Sequence, residues 1–260
     1  EASVGEIMED APIRVHTLDD QEDVAKLFSH YDLLALPVVD NEDRLVGIIT
    51  IDDAVDVLQE ENTEDFERMA GITPGDSSAS YLKTSVLSLA RSRILWLMIL
   101  MISAMITGAL LESYEAAISA VPLLVSFIPM LMDTGGNSGS QAATMIIRGM
   151  ALDEIEWSDF LAVWWKELRV AALCGAALAA VNFVRIWLQY RDMAVAAVVC
   201  LTLVGTVIIA KSLGCILPLL ARKLRLDPAI MAAPMITTIT DACSIVVYFS
   251  FAARFLAGRL

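Results

Sequence analysis

PLLVSFIPMLMDTGGNSGSQAATMIIR, residues 122–148, begins as a membrane helix and then sets an acid, two adjacent glycines, an asparagine and a glutamine where hydrocarbon belongs. Asp133 alone costs about 2.5–3.5 kcal/mol at a bilayer centre on an insertion scale. Gly135 and Gly136 permit close backbone approach, or carbonyls turned out of the helix. Such a segment is tolerated in a membrane only where it is buried in protein or lines a wet cavity. A pore or an intramembrane site is therefore the first expectation.

Composition points the same way. The chain has 260 residues, 57% of them hydrophobic, with a mean hydropathy of +0.64, above the apolar share of soluble domains. Charge is unevenly spread. Residues 1–76 carry 21 Asp/Glu against 4 Lys/Arg, and residues 77–260 carry 11 against 14, giving the net −14. This predicts an acidic soluble domain followed by a mildly basic membrane domain. An acidic surface repels nucleic acid and anionic lipid and attracts cations; a merely solvated acidic face is the plainer alternative. Cys174, Cys200, Cys215 and Cys243 lie far apart in apolar runs without CxxC spacing, and read as buried packing thiols rather than ligands or disulfides. The chain opens at Glu1 in soluble-type sequence without a signal-peptide pattern, which leaves room for an upstream part.

In the acidic part, residues 13–16 read as a short strand. Thr17 and Asp20 read as a capping-box-like start for a helix through about Tyr31. Residues 36–39 and 45–50 read as strands around a turn at 41–44, and a second helix runs from Ile51 to about Glu60. This β-α-β-β-α unit resembles a CBS module, on VGEIMEDAPIRVHTLDD and LPVVDNEDRLVGIITIDD. Gly47, Thr50 and Asp53 are similar to the pattern with which nucleotide-binding CBS modules hold ribose and phosphate, so ATP is a candidate ligand at Thr50 and Asp53. A helix cap at Thr50 is the plainer reading. Asp53, Asp56 and Glu60 share one helix face, and carboxylate-rich clusters suit Mg2+ or Ca2+.

Residues 71–80, GITPGDSSAS, read as a hinge, and residues 80–93 as an amphipathic helix at the membrane surface. Five spans are expected, over about 94–111, 116–147, 166–188, 193–220 and 227–253. The second is interrupted by Asp133 and the fifth by Asp241. Arg91, Arg93, Arg148, Arg222, Lys223 and Arg225 fall on one side of alternating helices, which makes that side and the N-terminus cytoplasmic and the C-terminus external. Arg185 is expected to snorkel outward, and Lys211 has no evident place. Arg148 follows Asp133 by fifteen residues, and Asp241 follows Asp227 by fourteen. At about 1.5 Å per residue the two carboxylates share a depth of about 21–23 Å. Thr237, Thr238 and Thr240 add oxygens, and Pro234 frees carbonyls. A path lined with oxygen and lacking His or Cys suits a hard cation. For Asp133, capping of a broken half-helix is the alternative.

The membrane half resembles the MgtE family of magnesium channels. The matching motifs are P-x6-P at Pro122 and Pro129, GGNxGxQAxTxxIR at Gly135–Arg148, and DPAxxxxPxxTTxxDxxxxxxYF at Asp227–Phe249. The resemblance implies an α-helical membrane protein: a CBS module over 1–70, a linker and plug helix over 71–93, and a channel domain over 94–260. It implies a homodimer in a bacterial-type inner (plasma) membrane, with one pore on the two-fold axis lined by spans two and five. Asp241 matches the selectivity site for hydrated Mg2+. Gly136, Gly139 and Thr237 match carbonyl donors, and Asp133 and Asn137 complete the candidate pore set. Ala233 departs from the polar Asn that some members carry. Asp20, Glu22, Asp32, Asp53, Asp56, Glu61, Glu64 and Asp65 match acids that bind Mg2+ at cytosolic interfaces, so that high internal Mg2+ closes the gate. The family's N-domain and first CBS module have no counterpart in the chain, so the implied gating set is incomplete.

Rival readings are a CBS-regulated carrier of another divalent cation, a nucleotide sensor on a membrane anchor, and an aspartic protease at Asp133-Thr134-Gly135. The protease needs a soluble sheet setting and a shared proton, and a three-residue match inside a membrane span does not supply it. No enzyme activity is expected.

Overall fold

The structure, a computed structural model, describes residues 3, 8, 12–75, 80–231 and 233–258. Residues 4–7 and 9–11 of the CBS-like opening, 76–79 of the linker and the side chain of Ala233 lie outside the described set. The chain divides into two compact units, 1–65 and 66–260.

The first unit holds β1 (Val15–His16), α1 (Gln21–Tyr31), β2 (Ala35–Val39), β3 (Leu45–Thr50) and most of α2 (Ile51–Met69). The sheet order is β1-β2-β3; β1 runs parallel to β2, and β2 antiparallel to β3 with an irregularity at Val38/Val39. Val15, Val24, Ala25, Phe28, Leu36 and Ala54 form the core, the apolar faces of both helices closing on one side of the sheet. Asp20 alone caps α1, its carboxylate accepting from the Glu22 amide at 2.9 Å. Thr17 is not part of that cap; its amide donates to Val39 O and prolongs the β1–β2 pairing. β1 starts at Val15 rather than Ile13, because only Val15 and His16 face partners on β2. α2 runs nine residues past the expected end at Glu60. Residues 61–69 contain no glycine or proline, and Gly71, at φ 69°, ends the helix in the left-handed conformation glycine tolerates.

The second unit holds α3 (Val86–Glu112), α4 (Glu115–Ala120), a 3-10 turn at Pro122–Phe127, α5 (Ile128–Ala151), a 3-10 turn at Trp157–Asp159, α6 (Phe160–Tyr190), α7 (Met193–Lys223), a 3-10 turn at Pro228–Met231 and α8 (Ala233–Phe255). Among the described residues four segments are long and apolar enough to cross a membrane: Val86–Glu112, Trp157–Tyr190, Met193–Lys223 and Pro228–Phe255. The protein is a multi-pass membrane protein by these helices. α5, the core of the expected second span, is not among the four; its acid, glycines and amides make it too polar.

Three expectations change. The surface helix over 80–93 is not separate: residues 81–84 form a turn, Ser85 caps α3 by accepting from the Ser88 amide at 3.2 Å, and α3 then runs through Arg91 and Arg93. No glycine or proline falls between Val86 and Thr107 to break it. The second span does not run from 116. It stops at Ala120, and Pro122 and Pro129 open the 3-10 turn and α5, where a missing amide costs nothing. Finally, α5 is unbroken through Asp133, Gly135 and Gly136.

α5 packs between α7 and α8. Near its start Leu124, Phe127, Leu131, Val199, Leu203, Tyr248 and Phe249 share one cluster; near its end Ala143, Ile146, Ile147, Cys215, Leu219 and Ile236 share another. Tyr248 donates its hydroxyl to Leu124 O at 3.0 Å, and Phe249 stacks on Tyr114 at 4.4 Å. The Tyr-Phe motif thus pins the 3-10 turn to α8. Arg222 holds the other end of α5, donating to Met150 O and Ile155 O at 3.1 Å each and pairing with Asp153 at 3.2 Å. All four cysteines are free; Cys215 is buried as expected, whereas Cys174 is exposed on α6.

Candidate functional site

The glycine motif on α5 separates into two faces. Gly135, Gly136, Ser138, Gly139, Ala142 and Ala143 are buried; Asp133, Asn137, Gln141, Thr144 and Arg148 are exposed in the single chain. At 3.6 residues per turn the five polar residues fall within an arc of about 80°, and at 1.5 Å per residue they span about 22 Å. One face is small and seats neighbouring helices, and the other is a continuous polar stripe.

The small face fixes the register. A Cβ on Gly135 would lie 2.7 Å from both Thr206 Cγ2 and Thr240 Cγ2, one on Gly136 2.8 Å from Thr237 Cγ2, and one on Gly139 2.4 Å from Ile236 Cγ2. Moving up α5 therefore means moving down α8: the helices are antiparallel, and the same register sets Asp133 opposite Asp241. Their common depth, expected from residue counting, follows from contacts, and it holds because the glycines do not break the rise. Asp241 is half-buried on α8. Thr237 and Thr238 both donate hydroxyls to Pro234 O, at 3.0 and 3.1 Å, which turns both hydroxyls back onto their own helix.

Gly136 and Gly139 sit in regular helix, and Gly139 O faces α7, 2.3 Å from where a Cβ on Gly214 would stand. Their absent side chains bring α7 and α8 to near-backbone contact, and the open polar face beside them belongs to Asp133 and Asn137. Gln141, Thr144 and Arg148 extend that face. Their spacing of three and four along the sequence is the signal of that face.

Lys211 also gains a place. It is 5% exposed, with its ammonium 3.6 Å from Glu167 Oε2 on α6. Arg185 is exposed and reaches Met130 Sδ at 3.9 Å.

In the first unit the expected regulatory acids are spread out. Asp20 is the cap of α1, and Asp32 ends that helix at φ 52°. Glu22 pairs with Lys26 at 2.9 Å, and Glu61 accepts from Gln21 Nε2 at 2.8 Å. Asp56, Glu64 and Asp65 lie along α2. Among the described residues no three His, Cys, Asp or Glu gather closely enough to hold a metal ion. Thr50 stands before the first helical residue, and Asp53 accepts its hydroxyl at 2.8 Å and its amide at 3.4 Å. Asp53, three residues on, thus reaches back to Thr50 as in the returning half of a capping box. A cavity of about 290 Å³ lies beside it, with His16, Thr17, Asp19 and Asp53 at its edge over Val24 and Val57; Thr50 does not line it.

At its far end α2 touches the start of the α8 segment. Arg68 pairs with Asp227, whose carboxylate also accepts from the Ala229 amide at 2.7 Å. A Cβ on Gly71 would lie 3.0 Å from Pro234 Cγ.

Residues 128–251 match the family model MgtE, described as a divalent cation transporter, and residues 4–60 match the CBS domain. The chain is 39% identical over 255 residues to the magnesium transporter MgtE of Thermus thermophilus, covering 97% of this chain and 56% of that protein. It is 34% identical over 260 residues to the protein of that name in Bacillus subtilis, covering 98% and 56%. The corresponding Enterococcus faecalis protein is 32% identical over 253 residues, covering 97% and 55%. The chain thus spans a little over half the length of these relatives.

Proposed function

On the premise that this chain carries the MgtE transporter domain behind a CBS domain, we propose that it conducts Mg2+ through a bacterial-type plasma membrane into the cytoplasm, as a homodimer. The observation that carries this reading is the polar stripe of α5 with Asp133 level with Asp241 on α8. A stripe about 22 Å long cannot face lipid at low cost; facing its copy across a symmetry axis, it would line a wet path. Carboxylates and amides without His or Cys suit a hydrated hard cation, and holding the water shell of Mg2+ costs less than stripping it. Arg148 in the last turn of α5, Arg222 and Lys223 in the last turn of α7, and Arg225 just beyond it favour the orientation with the CBS module inside.

The proposed gate is feedback by cytosolic Mg2+ on the acids of α1 and α2. Those acids repel one another at low Mg2+ and are bridged at high Mg2+. α2 carries Asp53, Asp56, Glu61 and Glu64, and its last turn is tied by Arg68 to Asp227 ahead of α8. Binding on this helix therefore has a short covalent and ionic route to the helix that bears Asp241.

The test is Mg2+ uptake into proteoliposomes with internal Mg2+ varied. Uptake that falls as cytosolic-side Mg2+ rises supports both conduction and feedback; folded protein without uptake overturns the reading. Replacing Asp53, Asp56, Glu61 and Glu64 together with their amides is expected to raise the internal Mg2+ needed for half-closure by on the order of tenfold, a common size of allosteric coupling. An unchanged closing curve removes the sensor role. ATP binding to the CBS module is a second reading, favoured by the cavity beside Asp53, which is at the small end for ligand pockets.

A further inference from the structure

Lys211 is the only charged residue between Met193 and Ala221, and transport as described does not use it. Intramembrane charges are costly, and those that persist are paired and functional by default. Its partner oxygen, Glu167 Oε2, is buried and accepts no hydrogen bond among the described residues, so the ammonium is its counter-charge. One residue on, Ser212 Oγ accepts from Trp164 Nε1 at 3.2 Å. α6 therefore grips α7 at two successive residues, by charge and by hydrogen bond.

The same turn of α7 presses on α5. Ala210 O lies 3.1 Å from a Cβ placed on Gly139, and a Cβ on Gly214 would stand 2.3 Å from Gly139 O and 2.9 Å from Ala142 Cβ. Residues 210–214 are thus held between Glu167 on one side and the small face of α5 on the other. Any rotation or slide of α7 moves the seat on which Gly139 rests, and with it the stripe that carries Asn137 and Gln141.

We infer that Glu167 and Lys211 are a positioning pair for the ion path, setting the depth and rotation of α7 and through it the seat of α5. The inference rests on the transport reading for its functional part. Its physical part is testable alone. Removing one partner of a buried pair strands the other charge, whereas removing both charges leaves an uncharged contact whose net cost is often small.

The experiment is a double-mutant cycle in the full chain. Lys211→Met and Glu167→Gln are each expected to lower Mg2+ flux by about tenfold or more, while the Glu167→Gln/Lys211→Met double variant returns to within about threefold of the parent, as coupled neighbours do. Lys211→Arg, which keeps the charge, is expected to stay within the same range. A second readout needs no transport. Cys215 is buried one turn beyond Lys211; with the other three cysteines changed to serine, its reaction with a maleimide should be fast in the single variants and slow in parent and double variant. Single variants with parental flux and parental labelling overturn the pair. A double variant as impaired as the singles overturns it as well. The labelling pattern together with no parental flux overturns the transport reading and leaves the α6–α7 pairing standing.

Discussion

Asp241→Ala is expected to reduce Mg2+ flux by a hundredfold or more while leaving the protein folded. Asp241 is half-buried on α8, in register with Asp133 on α5, and among the described residues no side-chain hydrogen bond or ion pair ties it to the scaffold. On the proposed function its charge faces the cargo. A hundredfold change corresponds to about 2.7 kcal/mol, modest for a carboxylate facing a hydrated divalent cation where water is restricted. Asp241→Asn separates charge from shape and should lose nearly as much. The measurement is uptake followed with a Mg2+-sensitive dye, beside a melting curve to show folding. Unchanged flux in a folded Asp241→Ala protein would remove the pore assignment.

The second large effect is on stability. Gly214→Val is expected to destabilise the membrane domain by about 3 kcal/mol or more, at the upper end of overpacking costs. The added Cβ alone would stand 2.3 Å from Gly139 O, 2.9 Å from Ala142 Cβ and 3.1 Å from Ala143 N. Two of those atoms are backbone in a helix, so neither can swing aside, and α7 must move off α5. Gly108→Val on α3 is the control. A Cβ there meets nothing within 4 Å, and surface changes usually stay within about 0.5 kcal/mol. Melting temperatures in detergent compare the two; equal values would contradict the close crossing of α5 and α7.

Where local chemistry decides an element, its bounds were legible. β3 at 45–50 and α1 ending at Tyr31 agree with the expectation, because alternation, an Asx cap and a turn sequence act over a few residues. α7 runs to Lys223 rather than 220, a trivial fray. The errors lie where tertiary packing overrides local signals. Gly135 and Gly136 leave two readings open in the sequence, close backbone approach or carbonyls turned out of the helix; only the packing against α7 and α8 shows the close approach. Arg91 and Arg93 read as the end of a surface helix, but charge alone does not break a helix, and α3 continues. Lys211 had no place because its partner lies 44 positions away on α6, beyond any periodicity. The pairing of Asp133 with Asp241 could be found by counting only because both rises are regular.

The unbroken but polar α5 has a consequence for how the protein is made. Chains emerge N-terminus first, so α5 leaves the ribosome before α7 and α8, the helices that line its small face. With Asp133, Asn137, Gln141 and four glycines it cannot partition into lipid alone, in contrast to α3, which has no buried residue and needs no partner among the described residues of this chain. Membrane integration should therefore finish last at the functional centre. A nascent chain stopped after α6 should leave α5 open to protease, and release through α8 should protect it; early protection would mean that some other factor shelters the helix while it waits.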